Sequence, residues 1–331
     1  MATIAVRRVS RETARLDPAA TGFGVGHCFG TFGELLQGAL PRPLPHFMVT
    51  CPAAAWSTAE FTHLPYATTV RVRPAGKRKS ARLATLALRA AGLPGGGELA
   101  VYSDLPEGKG MASSSADLVA TARAVAAGVG THFGPAELEG LLRRIEPSDG
   151  VMYDQFVDFD HRGVRLRESL GVLPAMRIVS YDQGGQVDTV RFNRRANGYD
   201  DDERREYAAL LAAARHAIRD GDLATVGAVA TRSTELDARR DRHRCLEQLR
   251  RVCRDVDALG IACAHSGTVL GILIDDRDRD ASAKVDAALA ACAALPGDVA
   301  VVRTLGPADD WTRPDPGSLE QRRRRQCSTG R

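Results

Sequence analysis

The stretch PEGKGMASSSAD (106–117) decides how this sequence is expected to fold. The residues before it, ELAVYSDLP (98–106), predict a strand, and the serines begin a helix predicted over about 113–127. Gly108 and Gly110 let the loop turn tightly and let a ligand approach the backbone. A helix start offers free N–H groups and a positive dipole end. This order of elements predicts an anion site, most naturally one for nucleotide phosphates.

The loop also has a plainer interpretation. No GKS or GKT closes it, so it is not a Walker loop, and a serine-capped helix after a flexible loop would look similar. Lys109 could add a point charge to the phosphates or could point into solvent. Lysine is rare in this arginine-rich chain, which makes a lysine inside the motif notable; the lysines are Lys77, Lys79, Lys109 and Lys284.

Two further motifs flank this loop: GTFGELLQG (30–38) and AHSGTVLG (264–271). The three motifs, in this order over about 240 residues, resemble those of the GHMP kinases, named for galactokinase, homoserine kinase, mevalonate kinase and phosphomevalonate kinase. Their detailed form resembles the branch that contains bacterial L-threonine kinases, which make O-phospho-L-threonine for the nucleotide loop of adenosylcobalamin. The sequence departs from the pattern at Ala112, where many members have glycine, and at Ser115, which replaces a small apolar residue.

The resemblance implies an α+β fold with two domains. Residues 1–171 would form the N-terminal ATP-binding domain, similar to a domain of ribosomal protein S5, and residues 172–310 a ferredoxin-like domain. Residues 311–331 would be a flexible, Arg-rich tail. Strands and helices mixed without strict alternation fit this division. The glycine-rich residues 22–34 predict strands joined by tight turns, and residues 186–194 predict another strand.

The resemblance also implies an ATP and Mg²⁺ site. Its ATP-binding residues would be Pro106, Glu107, Gly108, Lys109, Gly110, Met111, Ala112, Ser113, Ser114 and Ser115. Ser113 would contact phosphate and Ser114 would ligate Mg²⁺. Asp117 lies one helical turn beyond Ser113, so it could reach the Mg²⁺ or only complement the helix dipole.

Asp149 and Lys109 are the candidate catalytic residues. Asp149 could accept the proton of the acceptor hydroxyl, or could belong only to an Asp-Gly turn. The implied acceptor-binding residues are Thr31, Glu34, His265, Ser266 and Gly267. Glu34 could hold a substrate ammonium or be an exposed strand-end residue, and a lone histidine such as His265 is most often structural.

Composition narrows the class of protein. The 331 residues contain no uninterrupted run of 18 apolar residues, so the sequence predicts no membrane-spanning helix. The net charge of +4 equals that of the terminal residues 317–331, which predicts a solvated tail and no nucleic-acid-binding face. Seven cysteines without a CxxC pair suggest reduced thiols and neither a disulfide framework nor a zinc site. Residues 154–161, dense in carboxylates, predict a polar turn between strands.

The resemblance implies an ATP- and Mg²⁺-dependent kinase, monomeric or homodimeric, that acts on a small amino acid, L-threonine first, and the composition predicts that it is cytoplasmic. Two alternatives stay open. The same fold could act on L-serine, L-homoserine or another amino alcohol of specialised metabolism. The chain could also be a nucleotide-binding regulator that has lost catalysis.

Overall fold

The computed structural model describes residues 21–41, 46–185, 198–240 and 243–315. The strands in chain order are β1 (Gly22–Ala39), β2 (His46–Leu64), β3 (Val70–Arg73), β4 (Gly96–Ser103), β5 (Phe156–Asp160), β6 (Arg165–Gly171), β7 (Met176–Asp182), β8 (Gly260–Cys263), β9 (Val269–Asp275) and β10 (Asp298–Arg303). The helices are α1 (Arg78–Ala90), α2 (Ser113–Gly128), α3 (Pro135–Arg143), α4 (Asp201–Asp220), α5 (Leu223–Asp237), α6 (Leu246–Asp255) and α7 (Ala281–Ala293). The strand predicted over 186–194 lies outside the described residues.

The strands of the described residues join into one sheet. Its order is β10-β7-β9-β8-β1-β2-β4-β3, and β5 pairs with both β2 and β6. β1 and β8 pair only through Glu34 and Cys263, and this pair connects the N-terminal strands to the C-terminal ones. Buried side chains from both sides of Gly171 share one apolar cluster. The division into domains at 171/172 stays a prediction.

Glycines at alternate positions shape β1, because every second residue of a strand points to the same face. A Cβ on Gly24 would lie 2.1 Å from the backbone N of Gly128, and one on Gly26 would lie 2.2 Å from the carbonyl O of Ala120. These glycines therefore form a groove in which α2 packs directly on the strand. The prediction of short strands joined by tight turns was wrong, because the glycines serve this close packing and β1 is continuous.

Helix α2 packs against β1 and β2 and is buried along most of its length. Its low amphipathicity agrees with this position, since a helix surrounded by protein needs no polar face. Small residues, chiefly alanine, allow the close approach of its neighbours. The packing fixes the start of α2, at Ser113, relative to the sheet.

Two other segments differ from the prediction. Trp311, assigned to the tail, is buried and packs edge-on against Phe29 with ring centroids 5.4 Å apart. Residues 316–331 lie outside the described part of the chain. Asp158, predicted in a polar turn, lies in β5 with its side chain fully buried between Arg167 and Arg215. Within the described residues, no helix is long and apolar enough to cross a bilayer.

Candidate functional site

A cavity of about 340 Å³ opens in front of the N-terminus of α2. It is bounded by the loop between β4 and α2 (the phosphate loop, 106–112), the start of α1 and the segment 146–149. The predicted site residues on its wall are Glu34, Pro106, Glu107, Gly108, Gly110, Met111, Ala112, Ser113, Ser114, Ser115, Asp117, Asp149 and Ser266. Thr31, Lys109, His265 and Gly267 are not on the wall.

Left-handed backbone conformations turn the phosphate loop into the helix. Gly108, Gly110 and Ala112 have φ angles of 71°, 80° and 54°. Glycine adopts this conformation freely, whereas a residue with a Cβ is strained in it. This gives a physical reason why glycine suits position 112, where this chain departs from the family pattern. The loop brings the free N–H groups of the first turn of α2 to the cavity.

The first and third motifs hold the phosphate loop from behind. The backbone N–H groups of Thr31 and Gly33 donate to the carbonyls of Met111 (3.2 Å) and Gly110 (3.1 Å). On the other side, a Cβ on Gly267 would lie only 2.0 Å from the carbonyl O of Lys109. The structure therefore brings the three sequence motifs together through backbone contacts. Gly267 acts in this packing and Thr31 acts through its N–H.

The three serines have different partners. Ser113 Oγ is turned to the carbonyl O of Leu105 at 3.2 Å, so its hydroxyl caps local backbone in this structure. Ser114 Oγ donates to the Glu146 carboxylate. Ser115 Oγ donates to Asp149 Oδ2 at 3.0 Å and accepts from the backbone N–H of Asp149 at 3.1 Å. The third serine, which departs from the family pattern, thus positions the candidate base.

Asp149 has the properties expected of a general base. Burial, with the nearby Glu34 carboxylate, raises its pKa from 3.8 to about 7. A base whose pKa lies near the working pH can both accept and release a proton. Because Asp149 also lies on the cavity wall, the geometry is compatible with the predicted catalytic role, which stays a prediction.

Two lysines on the cavity wall were missed by the sequence analysis. Lys77 Nζ lies 2.6 Å from Asp117 Oδ2 and 2.5 Å from Glu107 Oε1. Lys79 pairs with Glu146. The scarcity of lysine in the chain was the signal that could have identified both.

The oxygen donors on the wall fit a Mg²⁺ ion only in part. Ser114 and Glu146 are adjacent, and hard oxygen ligands are those that Mg²⁺ prefers. The Asp117 carboxylate is already engaged, because Oδ1 accepts from Ser57 Oγ at 2.6 Å and Oδ2 is paired with Lys77. Ser114 with Glu146 is therefore the fitting pair, and Asp117 could serve only if Lys77 moved away.

Lys109 lies outside the predicted arrangement. Its ammonium is 2.6 Å from Asp182 Oδ2 and donates to the carbonyl of Gly185 at 2.7 Å. Asp182 also accepts a hydrogen bond from Thr268 Oγ1 (2.6 Å). In this structure Lys109 therefore ties the phosphate loop to the end of β7 and does not point into the cavity. A contact with phosphate would require that ion pair to open.

On the acceptor side, Glu34 is a buried residue, not an exposed strand end. Its Oε2 accepts from the backbone N–H of His265 at 3.1 Å and lies 3.0 Å from His265 Nδ1. His265 Nε2 in turn lies 3.0 Å from Ser233 Oγ. Burial alone would lower the pKa of His265. The surrounding thiol and carboxylates outweigh this effect and hold the pKa well above its usual value. This chain of contacts fixes one oxygen of Glu34 and leaves Oε1 for a ligand.

Gln37 and His161 also line the cavity and were not predicted. Burial lowers the pKa of His161 to about 3, so its imidazole is neutral near pH 7. Its Nδ1 is buried and has no hydrogen-bond partner among the described residues. Such an atom is costly unless a bound molecule or water satisfies it.

Comparisons with known proteins show what the chain is similar to. Residues 79–157 match the family model described as the GHMP kinases N terminal domain. The chain is 28% identical to the L-threonine kinase of Citrobacter freundii over 268 residues, covering 77% of this chain and 88% of the relative. The L-threonine kinase of Salmonella typhimurium is 26% identical over 263 residues, with coverage of 77% and 84%.

Among solved structures, the homoserine kinase from Cytophaga hutchinsonii superposes with a TM-score of 0.65 at 14% identity, covering 86% of this chain and 95% of that one. A likeness at this identity concerns the fold alone. It confirms the prediction of an α+β GHMP kinase fold.

Proposed function

Since this chain is a GHMP kinase, an ATP-dependent kinase that acts on an alcohol, we propose that its acceptor is L-threonine and its product O-phospho-L-threonine. The observation that carries the proposal is the pair of carboxylates, Glu34 and Asp149, on the wall of the cavity that the start of α2 faces. One carboxylate can hold an ammonium while the other receives a hydroxyl proton. A hydroxy amino acid carries an ammonium group and a hydroxyl group a few bonds apart.

The donor half of the reaction belongs to the phosphate loop. The N–H groups at the start of α2 bind the triphosphate, and Lys77 and Lys79 add positive charge to the same wall. Mg²⁺, when held by Ser114 and Glu146, would neutralise charge on the β- and γ-phosphates. The loop and the lysines thereby orient the terminal phosphate toward the acceptor side.

The acceptor half depends on Glu34 and Asp149. Glu34 Oε1 binds the substrate ammonium, because Oε2 is already fixed by His265. Asp149 takes the hydroxyl proton as the hydroxyl oxygen bonds to the γ-phosphorus and the bond to the leaving ADP oxygen breaks.

The experiment is an acceptor panel. The purified chain, with ATP and Mg²⁺, is given L-threonine, L-serine or L-homoserine, and ADP release and the phosphorylated amino acid are measured. We expect the highest kcat/KM with L-threonine. Preference for another acceptor would replace L-threonine in the proposal, and ATP binding without turnover of any acceptor would favour a catalytically inactive regulator.

A matched pair of variants tests the role of Glu34. Glu34→Gln should raise KM for the amino acid by about tenfold or more, because a charge-assisted hydrogen bond is worth roughly 1.5–3 kcal/mol, while KM for ATP changes little. Glu98→Gln, on the exposed face of β4, is the control. An unchanged KM for threonine in Glu34→Gln would exclude the ammonium contact.

The cytoplasmic location, the role in adenosylcobalamin synthesis and the monomeric or homodimeric state stay predictions.

A further inference from the structure

Three side chains with metal-binding atoms meet beside His265. They are Asp237, the last residue of α5, His243, which precedes α6, and Cys263, the last residue of β8. One ligand atom from each lies within 4.8 Å of the other two. We call this group the Cys263 cluster. It takes no part in the phosphoryl transfer proposed above.

The cluster is buried and tightly connected. His243 Nε2 lies 3.0 Å from Asp237 Oδ2, and these side chains are 5% and 9% exposed. Cys263 is fully buried. Charged and polar groups are placed inside a protein at a cost unless they are paired or bind a metal. Beyond that pairing, a carboxylate, an imidazole and a thiol from three chain segments present three metal-binding atoms to one buried point.

We propose that the Cys263 cluster binds one divalent cation of the Zn²⁺ class through Cys263 Sγ, His243 Nε2 and a carboxylate oxygen of Asp237. Sulfur, imidazole nitrogen and carboxylate oxygen are the three ligand types of protein zinc sites. A thiolate and a carboxylate together balance the charge of the ion, so the filled site is neutral. Binding displaces the protons of the thiol and of His243 Nε2 into solvent. Mg²⁺, which prefers oxygen, is excluded by the same donor set.

The neighbours of the cluster determine its coordination. His265 Nδ1 lies 3.7 Å from Cys263 Sγ, but both ring nitrogens of His265 are engaged, with Glu34 and Ser233. His265 is therefore a neighbour and not a ligand, and water takes the fourth position. Gln183 Nε2 lies 3.3 Å from His243 Nδ1. With the metal on Nε2, the proton of His243 is on Nδ1, so the Gln183 amide must give up the hydrogen bond that its Oε1 accepts from the backbone N–H of Arg244 (2.6 Å) and turn that oxygen to the imidazole.

The position of the cluster gives the ion a structural role. Cys263 pairs with Glu34 across β8 and β1, and His265 is two residues further along. An ion at the cluster would tie the end of α5 and the start of α6 to this junction. It would thereby stiffen the wall that holds the acceptor without touching the reacting atoms.

The test uses Zn²⁺ and Co²⁺ as probes on the full chain after treatment with a chelator. We expect one equivalent of Zn²⁺ by calorimetry and by elemental analysis, and a thiolate-to-metal charge-transfer band when Co²⁺ is added. Cys263→Ala should abolish the band and weaken Zn²⁺ binding by more than the roughly 10–100-fold that changes around metal ligands cost. Cys292→Ala, which truncates another fully buried cysteine, should leave both signals unchanged.

The near-isosteric Asp237→Asn and His243→Gln keep the test valid if Cys263→Ala does not fold. Each should weaken Zn²⁺ binding while circular dichroism shows a folded chain. Failure of the unaltered chain to bind Zn²⁺, or a cobalt–thiolate band that persists in Cys263→Ala, would overturn the proposal. Kinase activity is not the readout, so an error in the assigned acceptor would leave the result intact.

Discussion

Replacing Asp149 by asparagine should lower turnover and raise stability in the same variant. Asparagine keeps an oxygen that can accept from Ser115 Oγ, so the loop geometry is preserved. It cannot accept the substrate proton. General-base catalysis contributes about 10²–10⁴-fold, and we expect kcat to fall by that factor while the Kd for ATP changes little.

The pH dependence follows from the pKa of about 7 that burial imposes on Asp149. At pH 6 about a tenth of the carboxyl groups are ionised, so the rate of the unaltered enzyme should rise roughly tenfold between pH 6 and pH 8 and then level off. The residual rate of Asp149→Asn should lack this rise. A parallel profile in the variant would assign the titration to another group.

The stability effect has a defined sign. The pKa of Asp149 is 3.8 when exposed and about 7 when folded, so the folded chain binds the proton more tightly. Folding stability from this group is fully present below pH 3.8 and is lost as the pH rises through 7. The shift of about 3 units corresponds to at most about 4 kcal/mol at pH 8. Asp149→Asn should therefore be more stable than the unaltered chain at pH 8, by an amount that shrinks toward pH 4.

Steady-state kinetics measure the change in turnover, and urea denaturation at pH 5 and pH 8 measures the change in stability. Asp154→Asn is the control, since it removes a nearby exposed carboxylate, paired with Arg123, that lies outside the cavity. It should leave kcat near normal. Near-normal turnover in a folded Asp149→Asn would refute the assignment of Asp149 as the base.

The other predictions concern the loop and its neighbours. Ala112→Gly should stabilise the chain by up to about 1 kcal/mol in urea denaturation, because it relieves a left-handed φ of 54°, and it should retain turnover; a clear loss of stability would contradict the strain argument. Glu146→Gln should raise the Mg²⁺ concentration for half-maximal rate by about tenfold or more, and an unchanged Mg²⁺ dependence would remove it from the metal site. Lys109→Met should lower the melting temperature, and the added change Asp182→Asn should restore part of it, with a coupling of roughly 0.5–3 kcal/mol; strict additivity would show that the ion pair has no structural role.

The phosphate loop was predictable because its chemistry is local. A strand, two glycines and the start of a helix follow one another in sequence, and the observed α2 begins at Ser113 as predicted. The glycines of β1 show where local reasoning failed. Gly24 and Gly26 have no turn to make, and only the position of α2 explains them. Glycine permits both a sharp turn and a close approach, and the sequence does not distinguish the two.

The contacts between distant charges were the least predictable part of the site. Lys109 carries the right charge at the right place in the motif, yet the fold brings Asp182 within 2.6 Å of it. Lys77, which has no motif around it, reaches the cavity from the start of α1. The Cys263 cluster was unpredictable for the same reason, because its three side chains come from separate segments and their spacing in the sequence matches no zinc-binding motif. The partner of a charged side chain depends on tertiary packing, and motifs and spacing in the sequence do not reveal that packing.

The charges around the cavity explain how the site can exist before ATP arrives. Lys77 pairs with Asp117 and Glu107, and Lys79 pairs with Glu146, so each lysine already has carboxylate partners around the cavity. A triphosphate would take over the lysines, and the carboxylates they leave would then be uncompensated. A divalent cation brought with the nucleotide restores that balance at Glu146, next to the Ser114 hydroxyl. Nucleotide and metal ion therefore bind best together, because each satisfies the partners that the other displaces.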